Sequence, residues 1–198
     1  MTARRVCVFC GSSFGNNPRH REVAAAVATG IAGRGLEVVY GGGRVGLMGV
    51  VADAALAAGG TVLGVIPKGL FRLEVAHTGL TELYEVGSMH ERKTLMYDLA
   101  DAFVALPGGF GTLEELAEVT TWAQLGLHRK PVSLFDVDGF WDGLVHQLDR
   151  MVAEGLLRPE NRLLVQRHDD VDALLGSVEA FYESGSAGPA GWLAPDER

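Results

Sequence analysis

A chain of 198 residues, 47% hydrophobic and 21% charged, is long enough for one domain with a sizeable core. Its net charge of −8, with no block of Lys and Arg, argues against nucleic-acid binding, which needs clustered cations. No apolar run reaches the length of a membrane span, and no small-residue cleavage site follows the first residues, so a cytoplasmic protein with no membrane contact is expected.

The first predicted strand, Val6–Cys10, carries both cysteines of the chain. Three positions apart on a strand, Cys7 and Cys10 point to opposite faces. No second pair exists to complete a zinc site, so they read as two buried thiols. The turn Gly11-Ser12-Ser13 follows, then a helical pattern over Arg19–Arg34 and a strand over Leu36–Tyr40.

The next turn, Gly41-Gly42-Gly43-Arg44-Val45-Gly46, contains G-x-G-x-x-G before a helix predicted at Leu47–Ala58. As a dinucleotide fingerprint it is weak, because the following strand, Val62–Ile66, ends without an acidic residue for a ribose diol. Close backbone packing, or the rim of another ligand's site, is the better reading.

A strand at Leu83–Val86 leads into Ser88-Met89-His90-Glu91, a capping box opening a helix over Met89–Leu99. Arg92 and Lys93 oppose the dipole at that helix start, a cost that a bound anion would reverse. Arg92 also falls on the helix's apolar side with Met96 and Leu99, where an arginine needs a partner.

Strand Ala102–Leu106 then runs into Pro107-Gly108-Gly109-Phe110-Gly111-Thr112 and a helix over Leu113–Leu125. Glycines let the backbone approach a ligand closely, and a helix start offers free N–H groups and a positive dipole end to a phosphate. Thr112 adds a hydroxyl donor. The rival reading makes Thr112 an N-cap and Glu115 its capping-box partner.

The chain continues with a strand at Val132–Phe135, a helix at Trp141–Glu154, a weaker strand at Leu163–Gln166 and a helix at Val171–Glu183. Strands alternating with helices predict an α/β domain over residues 1–183, a parallel sheet with helices on both faces. All three glycine turns should lie beyond the carboxyl ends of its strands, where such sheets bind ligands. Residues 184–198, rich in Gly, Ser, Ala and Pro, read as a mobile tail in which Trp192 is an anomaly. The six histidines lack ligand spacing, so no metal is expected; no cofactor is expected either.

Taken together, Ser88-Met89-His90-Glu91-Arg92-Lys93 and Pro107-Gly108-Gly109-Phe110-Gly111-Thr112-Leu113-Glu114-Glu115 resemble the Lonely Guy (LOG) family of cytokinin riboside 5′-monophosphate phosphoribohydrolases. The signature is P-G-G-x-G-T-x-x-E with an upstream M-x-x-R-K. Gly41–Gly49 and Thr121-Trp122-Ala123-Gln124-Leu125-Gly126 match as well, so the likeness runs from about Cys7 to Leu148. Members have also carried the label lysine decarboxylase, although no pyridoxal phosphate site is evident around Lys68, Lys93 or Lys130.

The resemblance implies a Rossmann-like homodimer that releases a purine base, often N6-prenylated adenine, from its nucleoside 5′-monophosphate. It matches Arg92 and Glu115 to the catalytic pair. To substrate contacts it matches Glu74, Lys93, Gly108, Gly109, Phe110, Gly111, Thr112, Leu113, Glu114 and Thr121. Phe110 stands where many members have Tyr. The alternative is a nonhydrolytic nucleotide or cofactor carrier of the same fold, since fold does not fix function.

Overall fold

The computed structural model describes residues 4–68 and 76–184. Glu74 and the tail from residue 185 onward, with Trp192, lie outside the described residues.

Among the described residues the elements alternate from β1 (Arg5–Phe9), α1 (Arg19–Gly33), β2 (Glu37–Tyr40), α2 (Gly46–Ala57) and β3 (Val62–Pro67) to β4 (Glu82–Val86) and α3 (Met89–Leu99). They continue with β5 (Ala102–Ala105), α4 (Phe110–Gln124), β6 (Val132–Phe135), α5 (Asp142–Ala153), α6 (Pro159–Arg162), β7 (Val165–His168) and α7 (Val171–Glu183). The strands form one sheet in the order β4-β3-β2-β1-β5-β6-β7, with every pairing parallel. This is the Rossmann-like α/β architecture, with its strand order reversing between β1 and β5.

Continuously apolar strands are what a sheet covered on both faces requires, and β1, β2, β3, β5 and β6 are buried along nearly their whole length. One face packs Val6, Val8, Val38, Tyr40 and Val104 against α1, α2 and α7. The other packs Phe9, Val39, Phe103, Ala105 and Leu134 against α3 and α4. Cys7 belongs to the second layer and Cys10 to the first, as strand alternation predicts, and both are free thiols. The edge strands β4 and β7 alone carry exposed positions, which is where a parallel sheet meets water.

Two elements depart from the periodic pattern by more than one residue. The last strand is displaced from Leu163–Gln166 to Val165–His168, because Pro159 opens the short helix α6, which takes Leu163 as its C-cap. Helix α4 begins at Phe110, three residues before the apolar pattern starts, with Gly109 at its N-cap.

Candidate active site

The early start of α4 decides the chemistry of the turn. Thr112 is not an N-cap but lies inside the first turn, 3% exposed, and Gly109 caps without a side-chain hydrogen bond. The reading of Glu115 as the capping partner of Thr112 is therefore overturned. The Gly109 carbonyl accepts the Leu113 N–H at 3.1 Å. The N–H groups from Phe110 to Thr112 have no carbonyl within the helix to bond, and no acidic side chain occupies that turn. An anion is the natural complement to them and to the dipole.

The start of α3 is built differently. Ser88 Oγ accepts the Glu91 N–H at 3.1 Å, and a Glu91 carboxylate oxygen accepts the Gly87 N–H at 2.8 Å. That helix end is closed by its own side chains, and its role is to carry Arg92.

The loop after β1 and the loop after β5 are stitched together at the reversal of strand order. Leu106 N–H donates to the Phe9 carbonyl at 2.9 Å and Gly11 N–H to the Pro107 carbonyl at 3.1 Å. Leu47, at the start of α2, donates its N–H to the Gly11 carbonyl at 3.0 Å. Gly108 is packed so closely that a Cβ there would meet Thr112 Oγ1 at 2.1 Å and the Gly11 nitrogen at 3.0 Å. The three glycine turns thus meet at one edge, as expected of residues beyond the carboxyl ends of parallel strands.

They surround a cavity of about 370 Å³. Its floor is Val8, Phe9 and Cys10 at the end of β1; Gly41, Met48 and Met89 form one wall, with Arg92 beside them. Gly109, Phe110, Gly111 and Thr112 form the opposite wall with Glu114 and Glu115. Arg92 is 5% exposed, and its Nη2 donates to the Gly41 carbonyl at 3.1 Å. A Cβ on residue 41 would lie 1.8 Å from that nitrogen, so only glycine leaves room for the guanidinium. Arg92 and Glu115 act on the same neighbour, the Cys7 thiol, with opposite effects: the carboxylate raises its pKa and the guanidinium lowers it. Burial is the larger cause, and it pushes both Cys7 and Cys10 well above the usual thiol range. Cys10, although it lines the cavity, is therefore a neutral thiol and no nucleophile at neutral pH.

Not every residue matched by the family signature faces this cavity. Lys93 turns to α4, where its ammonium bonds Glu114 and, at 3.0 Å, Glu118. These partners raise its pKa, the Glu114 bond most, against a smaller effect of burial. Leu113 and Thr121 lie on the outer side of α4, and Thr121 Oγ1 donates to the Ala117 carbonyl at 2.7 Å. Phe110 is 92% exposed at the cavity's lip. Met48 and Met89, which fall within the family motifs but receive no role from the sequence, also line the cavity. No cluster of three or more His, Cys, Asp or Glu residues suited to a metal occurs among the described residues.

The chain is similar to known proteins in sequence and in fold. Residues 48–178 match the family model described as possible lysine decarboxylase. A cytokinin riboside 5′-monophosphate phosphoribohydrolase of Oryza sativa subsp. japonica is 48% identical over 185 residues, covering 92% of this chain and 76% of its own. One of Arabidopsis thaliana is 47% identical over 178 residues, covering 90% of this chain and 82% of its own. In fold, the chain resembles a molybdenum cofactor binding protein of Rippkaea orientalis, with a TM-score of 0.70 at 20% identity over 92% of this chain and 99% of that one. A molybdenum cofactor carrier protein of Chlamydomonas reinhardtii gives 0.69 at 19% identity over 91% and 99%. On the extent of the sequence match, carried through the glycine turn and the Arg92–Lys93 pair, this chain belongs to the LOG family.

Proposed function

We propose that this protein hydrolyses the N-glycosidic bond of adenosine 5′-monophosphate or its N6-prenylated forms, releasing the free base and ribose 5-phosphate. One observation carries this reading: an uncapped helix start, a buried arginine and a half-buried glutamate line one cavity.

The 5′-phosphate accepts the N–H groups from Phe110 to Thr112 at the positive end of α4. That grip fixes the anomeric carbon relative to Glu115. As the bond from C1′ to the base nitrogen lengthens, positive charge builds on the ribose ring. The Glu115 carboxylate stabilises that charge and takes a proton from the attacking water, whose oxygen bonds C1′. The departing base leaves with the bonding pair and gains a proton from solvent, and Glu115 returns to solvent the proton it took from the water. Arg92, too basic to give one up at neutral pH, orients the nucleotide and stabilises the negative charge of the leaving base.

Lys93 acts through its ion pairs. It follows Arg92 and holds Glu114, which precedes Glu115, so it keeps α3 and α4 in register. Glu114 also borders the cavity and, like Gly108 and Gly109, shapes the nucleotide's path. Glu74 would complete the base or ribose contacts.

The same reading makes the enzyme a cytoplasmic homodimer. No helix among the described residues is long and apolar enough to cross a membrane. Helix α5 buries no residue fully, and its Leu144, Leu148 and Met151 border an apolar groove with Leu113, Ala117 and Thr121 of α4. A second copy seated there accounts for that surface, and for substrate contacts by Leu113 and Thr121 that one subunit cannot make in its own cavity. Sedimentation should give a dimer, and Leu148→Asp should shift it toward monomer.

A pyridoxal phosphate decarboxylase does not fit these residues. The chain has three lysines: Lys68 is exposed, Lys93 is paired on α4, and Lys130 sits at the far end of the sheet. None lines the cavity.

The test is chromatography of base release from AMP and from N6-isopentenyladenosine monophosphate, with adenosine as the phosphate-free control. Release from either monophosphate, and little from adenosine, is the expected result. AMP binding with no release would replace the enzyme by a carrier.

A further inference from the structure

His77 lies behind the cavity wall, bonded to the neighbour of Gly41, and enters none of the steps above. It is 8% exposed. Its Nδ1 accepts the Gly79 N–H at 3.1 Å, which places the ring proton on Nε2, 2.9 Å from Oδ1 of Asp53 on α2. Its backbone N–H donates to the Gly42 carbonyl at 3.0 Å, and the preceding Ala76 makes an antiparallel bridge with Gly43. One residue therefore joins the Gly41–Gly43 turn to the helix that follows it.

The turn is held from the other side as well. Gly42 has φ +75°, and a Cβ on it would stand 3.2 Å from the Ile66 side chain and 3.3 Å from the Val65 backbone of β3. The turn is thus enclosed between β3 and His77, and its Gly41 carbonyl accepts from Arg92 Nη2. The line of contacts runs from Asp53 through His77, Gly42 and Gly41 to the guanidinium.

We propose that His77, braced by Asp53, is a positioning residue that fixes the Gly41–Gly43 turn and through it the guanidinium of Arg92. This rests on the assignment of Arg92 to the reacting site. A histidine that only stabilises its loop would lower the melting temperature and leave turnover of the folded protein unchanged. A positioning residue lowers kcat, because a small misplacement of a catalytic group costs rate even where binding is kept.

The experiment is steady-state base release from AMP by the full chain carrying His77→Ala, Asp53→Ala, Arg92→Lys and His77→Ala with Arg92→Lys, at a temperature where each is folded. His77→Ala should lower kcat roughly tenfold to a hundredfold with KM changed less than about threefold. In the Arg92→Lys background the same change should cost less than about threefold, since residues acting through one another are not additive. Asp53→Asn, which keeps an acceptor for Nε2–H, should retain turnover that Asp53→Ala loses. Unchanged kcat in His77→Ala, or its full loss repeated in the Arg92→Lys background, would overturn the proposal. Should His77→Ala fail to fold, Asp53→Ala carries the test. Its side chain is 73% exposed, so truncation spares the core, and unchanged kcat there would also overturn the proposal. Wild-type turnover in Arg92→Lys would instead remove Arg92 from the reacting site, a separate failure read from the single variant.

Discussion

Two cavities of nearly equal size lie at opposite ends of this sheet. One, about 370 Å³, sits beyond the carboxyl ends of β1 and β5; the other, about 340 Å³, sits at the amino ends of β6 and β7. The second also has cations on its wall, Arg129 and Lys130. Its lysine, however, is already spoken for. Lys130 Nζ donates to the Tyr97 carbonyl at 2.8 Å and lies 3.9 Å from the centre of the Tyr97 ring, and burial lowers its pKa. Among the described residues no helix begins there, so none of them presents a row of unbonded N–H groups to it. Volume and positive charge are common to both ends. Backbone polarity left open by the fold is found at the first, together with Arg92 and Glu115, and that difference makes it the candidate site.

The sharpest way to break this comparison is Glu115→Gln, which keeps the shape and removes the charge. Base release from AMP should fall by about 10²- to 10⁴-fold, the range for loss of an acid–base group, with AMP binding retained by calorimetry. Retained release would return Glu115 to a structural role.

Next come the paired substitutions Gly108→Ala and Gly109→Ala. A Cβ on Gly108 would collide with Thr112 and Gly11, whereas one on Gly109 would meet nothing within 4 Å. Gly108→Ala should destabilise by about 1–3 kcal/mol, as overpacking does, and abolish most turnover. Gly109→Ala should melt at the wild-type temperature and show only a raised KM. Equal melting temperatures for the two would mean that the turn is slack.

At the far cavity, Lys130→Met should leave kcat and KM unchanged while costing roughly 1–2 kcal/mol in urea unfolding, from a lost hydrogen bond and a lost cation–π contact. A large fall in turnover would show that the two ends communicate.

The smallest effect concerns pH. His128 is 8% exposed, and its pKa is lowered, mainly by burial, from an ordinary 6.5. Its contribution to stability is complete above that value. It is lost as pH falls from there through the lower folded pKa, because the unfolded chain takes up the proton more readily. The slope of unfolding free energy between pH 6.5 and 5 should therefore flatten in His128→Gln, with no change in the pH dependence of base release.

Much of this protein is legible in one dimension. Strand alternation placed Cys7 and Cys10 in opposite layers. The spacing of Arg92, Met96 and Leu99 placed the arginine on a buried face. The glycine turns marked the carboxyl edge of the sheet. These follow from local rules, in which side-chain direction and backbone freedom depend on near neighbours alone. The ambiguity over Glu115 could not be resolved that way, since Thr112-x-x-Glu115 satisfies a capping box whether or not the helix starts there. In the fold, Gly108 packs against Gly11 and Thr112, α4 starts at Phe110, and Glu115 lies on the cavity wall. Likewise, only the fold brought Met48 and Met89 to one wall, turned Lys93 away to Glu114 and Glu118, and set His77 against Gly42. The sequence by itself determined which segments become strands, helices and glycine-rich turns. The tertiary structure decided which side chains share a cavity, because contacts between residues distant in the chain depend on the order of strands in the sheet and on close packing between layers.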